Sequence, residues 1–275
     1  MATVARKQRS KSQAKSSVAA LRQGKGAASD KRGAAPGAGA KKKKTWENIK
    51  SLATTVALFL LIRAFLIEAY RIPSESMVPA LLVGDWLFVN KLRFGPNIPF
   101  TSVNLPGYAE PLRHDVVVFK SPNQIDQPED PNPTLVKRII GMPGDTLYMR
   151  SAKLFVNGIA QREPYAEGSE PGADEVSPLF DWQKQYSLKQ SRFGAAPDQP
   201  SHDNWGPLVV PPKHFFMMGD NRYNSKDSRY WGLVPRENIR GRPMFVYYSW
   251  NAVDSDRALP ALTDIRWKRI GHWIR

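Results

Sequence analysis

Tyr70 to Lys91 reads YRIPSESMVPALLVGDWLFVNK, and across this stretch a helical pattern gives way to strands. Upstream lies the apolar run Ile49 to Ile67, IKSLATTVALFLLIRAFLI, which as a helix of about 19 residues matches the hydrocarbon thickness of a bilayer. Downstream the chain breaks into short segments rich in β-branched and aromatic residues. These are Trp86–Lys91, Asp115–Lys120, Thr134–Ile140, Thr146–Arg150 and Leu154–Val156, and Asn238–Trp250 adds a late one containing MFVYYSW. Gly144-Asp145 and Asn157-Gly158 are turn signals between them. A total of 23 prolines further disfavours a helical domain. The expectation is a mainly β protein behind a single N-terminal transmembrane helix, with the anchor over 46–69 and the β domain over 70–275.

The charge of the chain is uneven. The net charge is +15, yet residues 1–50 hold fourteen Lys/Arg against Asp30 and Glu47, so the remaining residues carry only +3. Residues 1–45, made largely of Ala, Gly, Ser and Lys, lack the apolar surface to offset chain entropy and are expected to be a disordered basic tail. A transit peptide is the alternative for this segment. The lysine block Lys41–Lys44 before the apolar run, against Arg71, Lys91 and Arg93 after it, puts the N-terminus in the cytoplasm and the rest of the chain outside. Arg63 near one end of the run can snorkel to the headgroups, where at the bilayer centre it would cost about 3 kcal/mol. A buried core helix and a cleaved signal peptide are the alternatives for the run; Glu68-Ala69-Tyr70 is no small-x-small cleavage site. With no cysteine, thiol nucleophiles, disulfides and zinc-thiolate sites are excluded together.

Three stretches carry chemistry. In the first, Ser74 and Ser76 share a face if the backbone is extended, as Pro73 and Pro79 encourage by restricting Ile72 and Val78. They are a candidate nucleophile and helper donor, against the plainer reading of a Ser/Pro-rich loop. In the second, Thr134–Ile140 places Lys137 and Arg138 on opposite faces of a strand, so one charge points to the more buried side. Lysine can be neutralised by desolvation and arginine cannot, so a base here would be Lys137, against an ordinary snorkelling lysine. The third, Gly219–Val234, reads GDNRYNSKDSRYWGLV and is too rich in Gly, Asn, Asp and Ser for a strand interior. It fails as a calcium loop, since Arg222 and Lys226 sit among the would-be ligands. Asp227 and Arg229 can pair there and fix a loop, with the Ser225 hydroxyl nearby. Arg162–Asn204, polar and Gly/Pro-rich, reads as a surface insertion, and Ile265–Arg275 as a last strand or a helix on the bilayer.

Taken together, RIPSESMVPALLVGD, RHDVVVFK (Arg113–Lys120), VKRIIGMPGD (Val136–Asp145) and GDNRYNSKDSRYWG (Gly219–Gly232) resemble, in order and spacing, the boxes of bacterial type I signal peptidases (leader peptidases). The resemblance covers about Phe65 to Trp250. It implies a membrane-bound serine endopeptidase that removes signal peptides from exported preproteins after a small-x-small motif. The catalytic domain would lie on the outer, periplasmic face of the cytoplasmic membrane, with a variable inserted region over about 145–215. It implies Ser76 as nucleophile and Lys137 as general base. Ser74 would join the Ser76 N–H in the oxyanion hole, and Ser225 would orient the lysine. Asp227 and Arg229 would be a structural ion pair, and Ile72, Leu81 and Val136 would line pockets for small side chains. No cofactor and no metal is implied; the partners implied are signal peptides, membrane lipid and the protein-export machinery, with no nucleic acid.

Two residues depart from the family pattern. Glu75 stands between the serines where glycine is frequent, and Tyr223 stands in GDNRYNS where aspartate is common. Three rival readings differ in class. A Ser–His–Asp hydrolase would need one of His114, His202, His214 or His272 beside Ser76, with no Gly-x-Ser-x-Gly elbow there to support it. A membrane-tethered protein could hold signal peptides without cutting them. A nucleic-acid-binding membrane protein would use only residues 1–50.

Overall fold

The structure, a computed structural model, describes residues 38–98, 101, 103–166 and 174–275, with side chains from residue 44 onward. Helix α1 spans Ala38–Phe65, and its Lys44–Phe65 portion is long and apolar enough to cross a membrane. Two boundaries differ from the sequence reading. Residues 38–45, expected in the disordered tail, are helical, because Ala and Lys are strong helix formers that let the helix run back beyond its apolar part. The rest of that tail lies outside the described residues. Ile67–Ala69, assigned to the anchor, belong instead to strand β1 (Ile67–Arg71), where their backbone groups pair with Asn90 to Phe88. The chain divides inside α1 into units ending at Ser51 and starting at Leu52, and the strands all belong to the second unit.

The remaining strands are β2 (Asp85–Asn90), β3 (Val116–Lys120), β4 (Thr134–Gly141), β5 (Thr146–Arg150), β6 (Lys153–Val156), β7 (Ile159–Ala160), β8 (Trp205–Val209), β9 (His214–Met218), β10 (Val234–Pro235) and β11 (Ile239–Ser249). They form a seven-stranded sheet in the order β1-β2-β11-β3-β4-β9-β10 and a four-stranded sheet in the order β7-β6-β5-β8. The pairings are antiparallel. The protein is therefore mainly β, as its strand pattern indicates.

Apolar alternation assigns each face of the large sheet to a different core. In β9, Phe215 and Met217 pack with Val117, Phe119, Ile139 and Trp231, while Phe216 and Met218 pack with Leu147, Trp205 and Leu208 of the smaller sheet. Strands β4 and β9 are thus covered on both sides, which is what lets β4 bury two adjacent charged side chains. A third cluster joins Ile72, Met77, Leu81 and Leu87 to Val116, Val246 and Ile274.

The Arg162–Asn204 segment is more than a surface insertion. Phe180 and Gln183 are fully buried, and a 3₁₀ helix (Pro178–Gln185) sends Trp182 Nε1 and Gln183 Nε2 to the carbonyl of Arg229 at 3.0 and 3.2 Å. Its few large side chains are too sparse to produce a periodic signal. At the C-terminus, Ile265–Arg275 is neither strand nor helix throughout. Bridges pair Ile265 with Trp250 and Trp273 with Phe245, around a 3₁₀ turn at Trp267–Arg269. Arg269 anchors this segment by pairing with buried Asp85 at 2.6 Å.

Candidate active site

After β1 the chain turns sharply instead of continuing extended. Ser74 and Glu75 lie in a bend and Ser76–Ala80 in a turn, so the two serines meet through a turn and not through strand alternation. Their Oγ atoms are 3.4 Å apart. Ser76 is buried, and its hydroxyl is in hydrogen-bond contact with Lys137 Nζ. The Ser76 N–H has no acceptor among the described residues.

Lys137 sits on β4 opposite Val117 of β3 and is 3% exposed. Burial lowers its pKa to about 8, with Arg229 adding to the effect and Asp227 and Asp220 opposing it. Lys137 and Arg138 do point to opposite faces, but neither face is the exposed one, since both residues are buried. Arg138 lies on the other face of the strand. There Asp220 receives it in a bidentate pair at 2.7 and 2.6 Å, its Nη1 reaches the carbonyls of His114 and Arg275, and its guanidinium stacks over Tyr165. A permanent charge so paired can be buried, whereas a lysine facing a hydroxyl is driven towards neutrality.

The loop Gly219–Asp227 clasps the Ser76 turn. Asn221 N–H donates to the Ser76 carbonyl at 3.2 Å, and Asn224 Nδ2 donates to Glu75 Oε2 at 2.9 Å. Asp227 organises the loop from within, accepting from Gly219 N–H at 3.1 Å and from Ser225 Oγ at 2.9 Å. It also caps the short helix α2 (Ser228–Trp231). Asp227 and Arg229 form a fully buried bidentate pair, with Nε to Oδ1 and Nη2 to Oδ2 both at 2.8 Å. The Ser225 hydroxyl is thus bonded to Asp227, while the bond of Lys137 Nζ is the one to Ser76 Oγ.

Gly219 is required by close approach. A Cβ there would lie 2.2 Å from Ser225 Oγ and 2.4 Å from the Ser76 carbonyl oxygen. Gly219→Ala therefore displaces the Ser76 turn, and a misplacement of about 1 Å costs on the order of a hundredfold in rate. The expected result is a loss of that size in kcat from a folded protein; a rate within threefold of native would show that the turn tolerates the methyl group.

Beside Ser76 and Lys137 lies a cleft of about 60 Å³ lined by Ile72, Pro73, Met77, Leu135 and Val136 among others. Leu81, expected in the pocket, does not line this cleft; it is fully buried in the same cluster as Ile72 and Met77. Ser76 Oγ has Ser74 and Lys137 as its partners and no histidine. His114 bonds Tyr165, His214 bonds the Pro212 carbonyl, and His202 lies against Asp203 and Arg229. The sequence reading did not reach Asp220, Gly219, Asn221 and Asn224 as site residues. Its one available signal was the GDN run, whose small and amide residues suit a loop that approaches another backbone closely.

Residues 45–250 match the family model described as signal peptidase, peptidase S26. The signal peptidase I of Pseudomonas fluorescens is 38% identical over 216 residues, covering 73% of this chain and 72% of its own. That of Pseudomonas aeruginosa is 37% identical over 217 residues, with the same coverage of both chains. That of Bacillus licheniformis is 33% identical over 214 residues, covering 78% of this chain and 94% of its own. The chain belongs to the peptidase S26 family of signal peptidases, which are serine endopeptidases.

Proposed function

We propose that this chain removes signal peptides from exported preproteins by a Ser76–Lys137 dyad, anchored by α1 with the β domain on the outer face of the cytoplasmic membrane. The observation that carries this reading is the buried contact between Lys137 Nζ and Ser76 Oγ, in a site where burial drives the lysine pKa to about 8. The neutral amine takes the Ser76 hydroxyl proton as Oγ attacks the scissile carbonyl carbon. The Ser76 N–H and the Ser74 hydroxyl hold the tetrahedral oxyanion, about 3 kcal/mol for one such donor. The C–N bond then breaks, and the lysine ammonium returns its proton to the leaving amine of the mature protein. Water, deprotonated by the same amine, hydrolyses the acyl ester and frees the signal peptide carboxylate and Ser76.

The Ser225 hydroxyl, having donated to Asp227, keeps lone pairs with which to orient the lysine amine. The small cleft lined by Ile72 and Val136, whose Ile72 and Met77 pack in one cluster with Leu81, suits alanine- or serine-sized side chains, which supports cleavage after small-x-small. Membrane lipid and the export machinery are the partners that an anchored processing enzyme of this kind meets.

The test is cleavage of a preprotein with an Ala-x-Ala site by the full chain in vesicles, with the new N-terminus mapped by mass spectrometry. Cleavage should follow the second small residue and vanish in Ser76→Ala. Because only the neutral amine is a base, kcat/KM should rise with pH and level off above about 8, falling roughly tenfold per unit below it. Binding without cleavage would replace this reading with that of a tethered signal-peptide-binding protein, and a flat profile from pH 6 to 9 would exclude Lys137 as the base.

A further inference from the structure

Arg229 is fully buried and spends its guanidinium on four neighbours, Asp227, His202 and the carbonyls of Arg222 and Ser225. Nε and Nη2 grip Asp227, Nη2 also reaches the Arg222 carbonyl at 2.7 Å, and Nη1 donates to His202 Nε2 at 2.5 Å. His202 comes from the inserted segment and is itself 6% exposed. Asp203 Oδ1 lies 2.6 Å from its Nδ1. A carboxylate there accepts a hydrogen bond from Nδ1–H, which leaves the Nε2 lone pair facing Arg229. The Arg222 carbonyl, 3.1 Å from Nε2, is an acceptor that Arg229 Nη2 shares, so it brings no proton to Nε2, and the donor facing that nitrogen is Arg229 Nη1.

The supporting loop is equally determined. Asp174 accepts from Asp203 N–H, Ser201 Oγ and Asn204 Nδ2, each at 2.8 Å. Tyr223, at the position where the family commonly has aspartate, stacks on the His202 ring at 5.4 Å. Behind the imidazole lies a cavity of about 230 Å³ lined by Glu163, Asp203, Arg222 and Tyr223. The charged and titratable groups around His202 are thus Asp203, Asp174, Glu163, Glu175, Arg222, Tyr223, Arg229 and, by ring contact, Tyr230.

We propose that His202, held by Asp203, is a positioning residue for the Ser76–Lys137 pair, acting through Arg229 and Asp227; this rests on the dyad reading. The neutral imidazole gives Arg229 Nη1 its one acceptor among the described residues without adding negative charge. Arg229 therefore stays against Asp227 and keeps its positive charge near Lys137. A carboxylate in the place of Tyr223 would supply an acceptor too, but at the cost of an added negative charge favouring the ammonium form. The aromatic ring at 223 and the histidine from the insertion act as one unit.

The experiment compares the full chain with His202→Ala and His202→Gln in the vesicle assay, recording kcat, KM and the pH profile. In His202→Ala, Arg229 loses an acceptor and relaxes towards the cavity. We expect kcat to fall roughly tenfold with KM unchanged, and the acid limb to move to higher pH. His202→Gln, whose amide oxygen reaches the Nε2 position, should restore both. Asp203→Asn, which keeps the shape and weakens the hold on the tautomer, should move both readouts the same way by a smaller factor, and it serves if His202→Ala fails to fold. A merely structural role would lower thermal stability and leave the acid limb in place. An unmoved acid limb in the folded variants, or a folded His202→Gln that rescues nothing, overturns the assignment and leaves the dyad standing. A native chain that does not cleave removes the dyad reading and this assignment with it.

Discussion

Lys137→Met yields a folded chain whose cleavage of a preprotein is lower by about three orders of magnitude. General-base assistance contributes about 10²–10⁴ in rate, and methionine keeps most of the volume of the lysine stem while removing the amine. Stability should hold or rise, because a desolvated amine facing a hydroxyl is replaced by an apolar side chain in a site walled by Leu135, Val136 and Met77. Ser76→Ala should cost at least as much. Since nucleophile and base act as a unit, the double variant should be no worse than the weaker single one. Initial rates at pH 8.5, beside near-ultraviolet circular dichroism, separate lost chemistry from lost fold. A Lys137→Met enzyme retaining a tenth of native activity would require another base, and no histidine contacts Ser76 to supply one.

The strands that alternate or are bounded by turn residues could be read from the sequence to within a residue or two, as at Thr146–Arg150 and Leu154–Val156. Strand β9, HFFMM, escaped because a strand covered on both faces has no apolar period of two. Strand β8 escaped because Gly206 and Pro207 interrupt it, and β1 because it starts on Ile67, the last residue of the apolar run. In the candidate site, Lys137 was legible on its strand, Ser76 only as a residue type because a turn replaces the extended segment expected, and the family resemblance associated the two across 61 positions of sequence. The partner that lets Arg138 be buried lies 82 residues away in Asp220, and local pattern carries no trace of it. His202 is illegible for the same reason. A histidine in a polar, weakly periodic segment gives no sign that it meets a buried arginine 27 residues later.

The second large effect falls on the pair that holds the Gly219–Asp227 loop. Arg229→Ala leaves Asp227 fully buried without its counter-charge, a change that costs about 3–5 kcal/mol, or on the order of 10 °C in Tm for a domain of this size. Arg229→Leu combined with Asp227→Asn should be less destabilising than Arg229→Ala alone, because no uncompensated charge remains and the amide oxygen still accepts from Gly219 N–H. The pH dependence carries the sign. Burial alone would raise the Asp227 carboxyl, but the Arg229 charge and hydrogen bonds, with the Gly219 N–H, outweigh it and hold the pKa below the usual carboxylate range. A carboxylate so lowered contributes stability that is fully present above its unfolded value of about 4 and is lost as pH falls through its folded value. Arg229→Ala should therefore flatten the acid side of the stability curve as well as lower it. In activity, the uncompensated carboxylate favours the Lys137 ammonium, so the acid limb of kcat/KM should move to higher pH, the same direction as in His202→Ala and by a larger amount. Thermal unfolding from pH 7 to pH 3, paired with the rate profile, decides it. A variant that loses stability uniformly across that range, with its rate profile unmoved, would confine the pair to packing and remove it from the control of the lysine.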